Sequence, residues 1–249
     1  MSGVGQAVFM NQRSFGIVNP ILIPTDGLIL YLDAGNPASY PGTGTIWTDL
    51  SGKSNTGTLT NGSVFGTDGG GSIVFDGAND KVVVPQFTSL NPPKVTVSCW
   101  VKRTAITPYT HFCGLPAVNG WANPYACYGL EFPGSGTAPS LLLGFTPAIY
   151  RYIDAPASPA TALGVWSYIV GSYDGAFAKI YVNGVLITSV TETRTLITST
   201  TDFVLGAESQ ATNAYPLNGK IGQAAVYDRA LTDAEVLSSF NSYKSRYGL

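Results

Sequence analysis

Residues 71–85 carry two short β-forming runs, Ile73-Val74-Phe75 and Val82-Val83-Val84, on either side of Asp76-Gly77-Ala78-Asn79-Asp80. β-branched and aromatic side chains fit a pleated, half-buried surface, and neither run is long enough for a helix. Gly77 and Asn79 supply a turn between them. The stretch therefore reads as a hairpin with two carboxylates at its tip. Such a unit needs further strands to cover it, and the rest of the chain offers them.

Leu28 to Leu32 form the first clear apolar run. Val95, Val97, Cys99 and Val101 alternate with Thr96, Ser98, Trp100 and Lys102, so the two sets face opposite ways. Residues 125–132 and 141–145 read as strands, as do 165–174, 177–187, 202–206 and 220–228. Asn183-Gly184 between apolar runs predicts a type I′ hairpin, because both residues tolerate positive φ. Trp100 and Trp166, on regular strands, are core candidates. One helix is expected: Thr232 and Glu235 make a capping box, and Val236, Leu237, Phe240 and Tyr247 an apolar stripe. Lys244 and Arg246 suit its C-terminal end, and Gly248 suits the stop. Many short strands, Gly-rich turns and no α/β alternation predict an all-β sandwich or jelly roll. The domain spans residues 25–249. Residues 1–24 are apolar without a helical period. They read as an arm that packs on its own domain or reaches onto a neighbouring subunit.

Composition narrows the function classes. Only 11% of the 249 residues are charged and the net charge is −2, so there is no basic footprint for nucleic acid. No apolar run approaches the ~18–20 residues of a membrane span. The first residues lack the basic and apolar regions of a signal peptide, so synthesis in a cytoplasm is expected. Cys99, Cys113 and Cys127 make no zinc spacing with His111, the one histidine. Cys99 reads as a small buried side chain; pairing of Cys113 with Cys127 is left open.

Catalysis is not expected. A retaining glycosidase needs two carboxylates about 5–5.5 Å apart. Glu131 is alone on its strand, Asp233 and Glu235 belong to the helix cap, and no Gly-x-Ser-x-Gly elbow occurs. His111 reads as a surface or packing residue. Asp76, Asn79 and Asp80 offer three oxygen-bearing side chains in one loop, which suits a hard cation such as calcium. Residues 104–163 gather Tyr109, Tyr125, Tyr150 and Tyr152 among glycines and prolines. There Trp121, Asn119, Asn123 and Tyr125 combine an aromatic platform with amides, the chemistry of a sugar site.

In order along the chain, Leu28-Ile-Leu-Tyr-Leu-Asp33, Trp47-Thr-Asp-Leu-Ser-Gly52, Val74-Phe-Asp-Gly77, Val97-Ser-Cys-Trp-Val-Lys102, Trp166-Ser-Tyr168, Ile180-Tyr-Val-Asn-Gly184 and Lys220-Ile-Gly-Gln-Ala-Ala-Val-Tyr-Asp228 resemble the laminin-G-like, concanavalin A-like jelly rolls. The resemblance implies a two-sheet antiparallel sandwich with Val74, Phe75 and Val83 chiefly in its core, one that binds glycans or proteins, often with calcium at one rim. The entry Leu32-Asp-Ala-Gly-Asn-Pro37 and the exit Lys244-Ser-Arg-Tyr-Gly-Leu249 resemble virion proteins of marine and cyanobacterial tailed phages. That implies a non-catalytic virion component, a head decoration protein or a tail or fibre adhesin. Its partners would be other virion proteins through residues 1–24, further copies of itself and host glycans. The alternatives are a free-standing carbohydrate-binding module and a glycan-active hydrolase.

Overall fold

The computed structural model describes residues 22–118, 123–134, 136, 138–146, 149–209, 211 and 214–249. Most of the arm, with Asn119 and Trp121, lies outside the described residues. The strands in chain order are β1 (Leu28–Asp33), β2 (Ile46–Trp47), β3 (Gly57–Thr60), β4 (Val64–Gly66), β5 (Ser72–Asp76), β6 (Lys81–Val84), β7 (Val95–Arg103) and β8 (Thr110–Pro116). They continue with β9 (Ala126–Phe132), β10 (Ser140–Phe145), β11 (Ile149–Asp154), β12 (Trp166–Tyr173), β13 (Phe177–Val182), β14 (Val185–Thr191), β15 (Phe203–Leu205) and β16 (Asn218–Tyr227). The helix α1 (Asp233–Tyr243) follows.

Two antiparallel sheets stack face to face. One runs β14-β13-β12-β7-β16-β5-β4, with β1 also paired to β16. The other runs β11-β10-β9-β8-β15-β6-β3-β2. This is the all-β sandwich that the strand pattern predicts. The main core lies between the sheets and includes Phe75, Val97, Phe112, Leu130, Leu143 and Ile169. A second apolar layer lies between the outer face of the first sheet and α1. There Trp100 stacks on Tyr247 at 4.0 Å, on Tyr168 at 5.1 Å and on Phe240 at 5.7 Å. Trp166 and Ile23 pack into the same layer, so the end of the arm next to the domain lies against its own sheet.

The alternation in β7 holds. Val95, Val97, Cys99 and Val101 enter the main core, and Trp100 faces the helix. Asn183 and Gly184 take φ 51 and 81, and β13 pairs with β14 across them. Both capping-box hydrogen bonds are present: Glu235 N–H donates to the Thr232 hydroxyl at 3.2 Å, and Thr232 N–H to Glu235 at 2.8 Å. All three cysteines are buried and free.

Residues 71–85 differ from the hairpin expectation. β5 pairs with β16 and β4, whereas β6 pairs with β15 and β3. The turn at 77–80 therefore carries the chain from one sheet to the other. Each strand takes its partners from elsewhere, and each turns alternate apolar side chains into the space between the sheets. The core residues are Ile73, Phe75, Val82 and Val84; Val74 and Val83 point away from it. Pairing with distant strands, not the turn, sets which residues face in.

Candidate functional site: a tyrosine strip on one sheet

Leu130 and Phe132 of β9, Leu141 and Leu143 of β10 and Ile153 of β11 all enter the core. Strand alternation then places Gly129, Glu131, Leu142, Gly144, Tyr150 and Tyr152 on the outer face of the second sheet. Gly129 faces Gly114 across the β8–β9 ladder, and Gly144 pairs with Tyr150. Gly144 is buried, and a Cβ on it would lie 2.0 Å from the Ala126 carbonyl oxygen, so neighbouring backbone packs directly against it and only glycine fits.

Tyrosines gather around these glycines. Tyr125 meets Tyr150 edge-on at 4.8 Å, and Tyr150 meets Tyr152 edge-on at 5.7 Å. Tyr109 and Tyr215 form a second edge-on pair at 5.5 Å. Tyr109 and Tyr150 are each 38% exposed, so the strip reaches solvent. Tyr109, Tyr125 and Tyr215 hold left-handed backbone, at φ 57, 61 and 54. Bulky residues seldom adopt that region. It persists where the surroundings over-determine it, and such residues cluster at ligand sites.

Beneath the rings lies a polar pair. His111 Nε2 is 2.5 Å from Glu131 Oε2, and both side chains are buried. Their strands bring them together: His111 and Glu131 are register partners in the β8–β9 ladder. Burial, and after it the neighbouring Glu131 carboxylate, holds the Tyr152 phenol far above the usual tyrosine range. Tyr152 is therefore a neutral hydroxyl at any physiological pH. The pair gives the strip a fixed polar floor. Glu131, Ser140 and Asp154 are successive register partners, which puts Glu131 and Asp154 two strands, about 10 Å, apart. The arrangement suits holding and orienting a ligand.

Of the four residues predicted for a sugar site, Tyr125 belongs to this strip. Asn123 is exposed two residues before it, and Asn119 and Trp121 lie outside the described residues. Tyr109, Tyr150, Tyr152, Tyr215, His111 and Glu131 were not predicted for it. Tyr150-x-Tyr152 carried a signal, since alternation places both rings on one face.

The acidic turn is separate from the strip. Asp80 Oδ2 accepts the Asp76 N–H at 3.0 Å, and Asp76 Oδ1 accepts the Ala78 N–H at 2.7 Å. Asn61 Nδ2 donates to the Asn79 carbonyl at 2.9 Å. Asp80 is buried, and among the described residues its Oδ1 has no hydrogen-bond partner. Burial, and the Asp76 charge beside it, push its pKa up. Among the described residues no three His, Cys, Asp or Glu side chains cluster closely enough to hold a metal ion. A cation here would rely on these two carboxylates, with amide and carbonyl oxygens completing the set.

Residues 76–237 match the family model of the concanavalin A-like lectin/glucanases superfamily. The chain belongs to this superfamily. Solved structures share the fold across most of the sandwich. Domain 4 of AbnA, an extracellular arabinanase from Geobacillus stearothermophilus solved with arabinotriose, superposes with a TM-score of 0.62 at 22% identity, over 85% of this chain and 97% of that domain. The binding domain of botulinum neurotoxin DC, solved with SialylT, gives 0.66 at 15% identity, over 88% of this chain and 52% of that one. Trypanosoma rangeli sialidase gives 0.63 at 17% identity, over 90% of this chain and 34% of the enzyme. This superfamily member thus spans about half of the neurotoxin domain and a third of the sialidase. No curated protein matches the sequence.

Proposed function

We propose that the protein is a non-catalytic, lectin-like module that binds glycans on the tyrosine strip. It is carried on a phage virion as a head decoration protein or a tail or fibre adhesin, and residues 1–24 join copies of the chain to one another or to other virion proteins. The observation that carries the reading is the convergence of five tyrosines, three of them in left-handed backbone, over a buried Glu131–His111 pair. Aromatic faces stack on the apolar faces of sugar rings, and the phenol hydroxyls meet the sugar hydroxyls, while the buried pair beneath holds the rings in place. The saccharides bound to the arabinanase domain and to the neurotoxin domain support the same use of this fold. The near-complete span of the arabinanase domain favours a second reading, a carbohydrate-binding module without a virion role.

A glycan array probed with the full chain and with Tyr150→Ala tests the binding claim. Selective signals that the variant loses support it, and a blank array at high protein concentration overturns it. Immunogold labelling of particles decides between the two settings. Calcium at Asp76, Asn79 and Asp80 is a further part of the reading, because a hard cation would relieve the repulsion between the two carboxylates. Calcium should raise the melting temperature and a chelator should reverse the rise; equal melts in both would remove it.

A further inference from the structure

Arg103 ends β7 and is 4% exposed. Burial pulls its pKa down to about 10, which leaves the guanidinium charged at neutral pH. Nη1 donates to the Gly136 carbonyl, and Nη2 to the Thr161 carbonyl at 2.9 Å. The guanidinium carbon lies 3.4 Å above the Phe132 ring centroid. Arg151, Arg194, Arg229 and Arg246 each pair with a carboxylate. Arg103 has no such partner, although every one of the chain's 15 acidic residues is among those described. A buried charge without a counter-ion is costly, and two carbonyl dipoles offset only part of that cost.

Arg103 also forms part of the wall of an open cavity of about 430 Å³ at the rim of the sandwich, with Ile106, Ser158, Pro159, Thr161 and Leu163 around it. That volume suits a small ligand. The lining is apolar except for the guanidinium and two hydroxyl residues. A planar guanidinium fork matches a carboxylate better than any other simple anion.

We propose that Arg103 anchors a site for a small organic carboxylate, with a body about the size of a sugar ring lying against Ile106, Pro159 and Leu163. A sugar acid meets both requirements. The site is independent of the tyrosine strip.

The test is a titration of the full chain, followed by amide ¹H–¹⁵N shifts, with glucuronate, acetate and glucose. Glucuronate should give saturable shifts at Ile106, Gly136 and Leu163, acetate weaker ones, and glucose none there. Arg103→Lys loses the fork and should weaken glucuronate binding about tenfold or more. Leu163→Trp fills the cavity, leaves the guanidinium in place and should abolish binding, which keeps the test decisive if Arg103→Lys does not fold. Tyr150→Ala should bind glucuronate as the wild type does. No saturable shift with glucuronate, the same shifts with glucose, or binding unchanged in Leu163→Trp overturns the proposal.

Discussion

Asp80 is a carboxylate that folding leaves in an unfavourable place. One oxygen holds the turn through the Asp76 N–H, and the other is buried without a partner among the described residues. Its folded pKa is raised, so the folded state holds the proton more tightly than the unfolded chain. The ionised side chain therefore costs stability at neutral pH, and that cost disappears as pH falls through the raised folded value. Asp80→Asn keeps an acceptor for Asp76 and removes the charge. In chelator at pH 7 it should gain about 1 kcal/mol in urea unfolding, with the gain shrinking as pH is lowered. A loss of stability at pH 7 would contradict this account of the turn. Single residues were also where the sequence was least readable. Asp76 and Asp80 stand out as acids, but Asp80's burial depends on a chain crossing between sheets that its neighbours do not announce.

At the level of elements, local signals read correctly and distant pairings did not. Thr232 and Glu235 are three residues apart, so their reciprocal hydrogen bonds follow from sequence alone. Asn183-Gly184 likewise fixes its own turn. β5 and β6 look like a hairpin because they are neighbours, yet Asp76 pairs with Asn218, 142 positions away. The tyrosine strip escaped for the same reason: it needs the register of β8 to β11 and a residue, Tyr215, from beyond β15. The helix and the turn that follows it yield two predictions. Thr232→Ala should cost about 1 kcal/mol. Tyr247→Ala should cost more, about 3 kcal/mol or above, because the ring lies between Trp100 and Trp166. Equal costs in urea unfolding would mean that α1 is held by its cap and not by the aromatic layer. The cap also sets an acid limit. Hydrogen bonds from Arg229 hold Glu235 at about 2, and those from Arg194 hold Glu192 at about 2. Both folded values lie below the ordinary 4.5 of a glutamate. Their stabilisation is complete above that value and is lost as pH falls from it toward 2. Urea midpoints measured across that range should fall steadily; flat midpoints would show that neither pair stabilises the fold.

The molecule as a whole is a sandwich whose two outer faces do different work. One is covered by α1 and its aromatic layer. The other carries the tyrosine strip, where the rings of Tyr109 and Tyr150 reach solvent over buried glycine backbone. A glycan on this face would be bound mostly by stacking, so its affinity should change little with salt. The central claim is tested most directly by isothermal titration of the best array-selected glycan into the wild type and Tyr150→Ala. Affinity should fall about tenfold or more in the variant at an unchanged melting temperature. Equal affinities in the two proteins would contradict the claim.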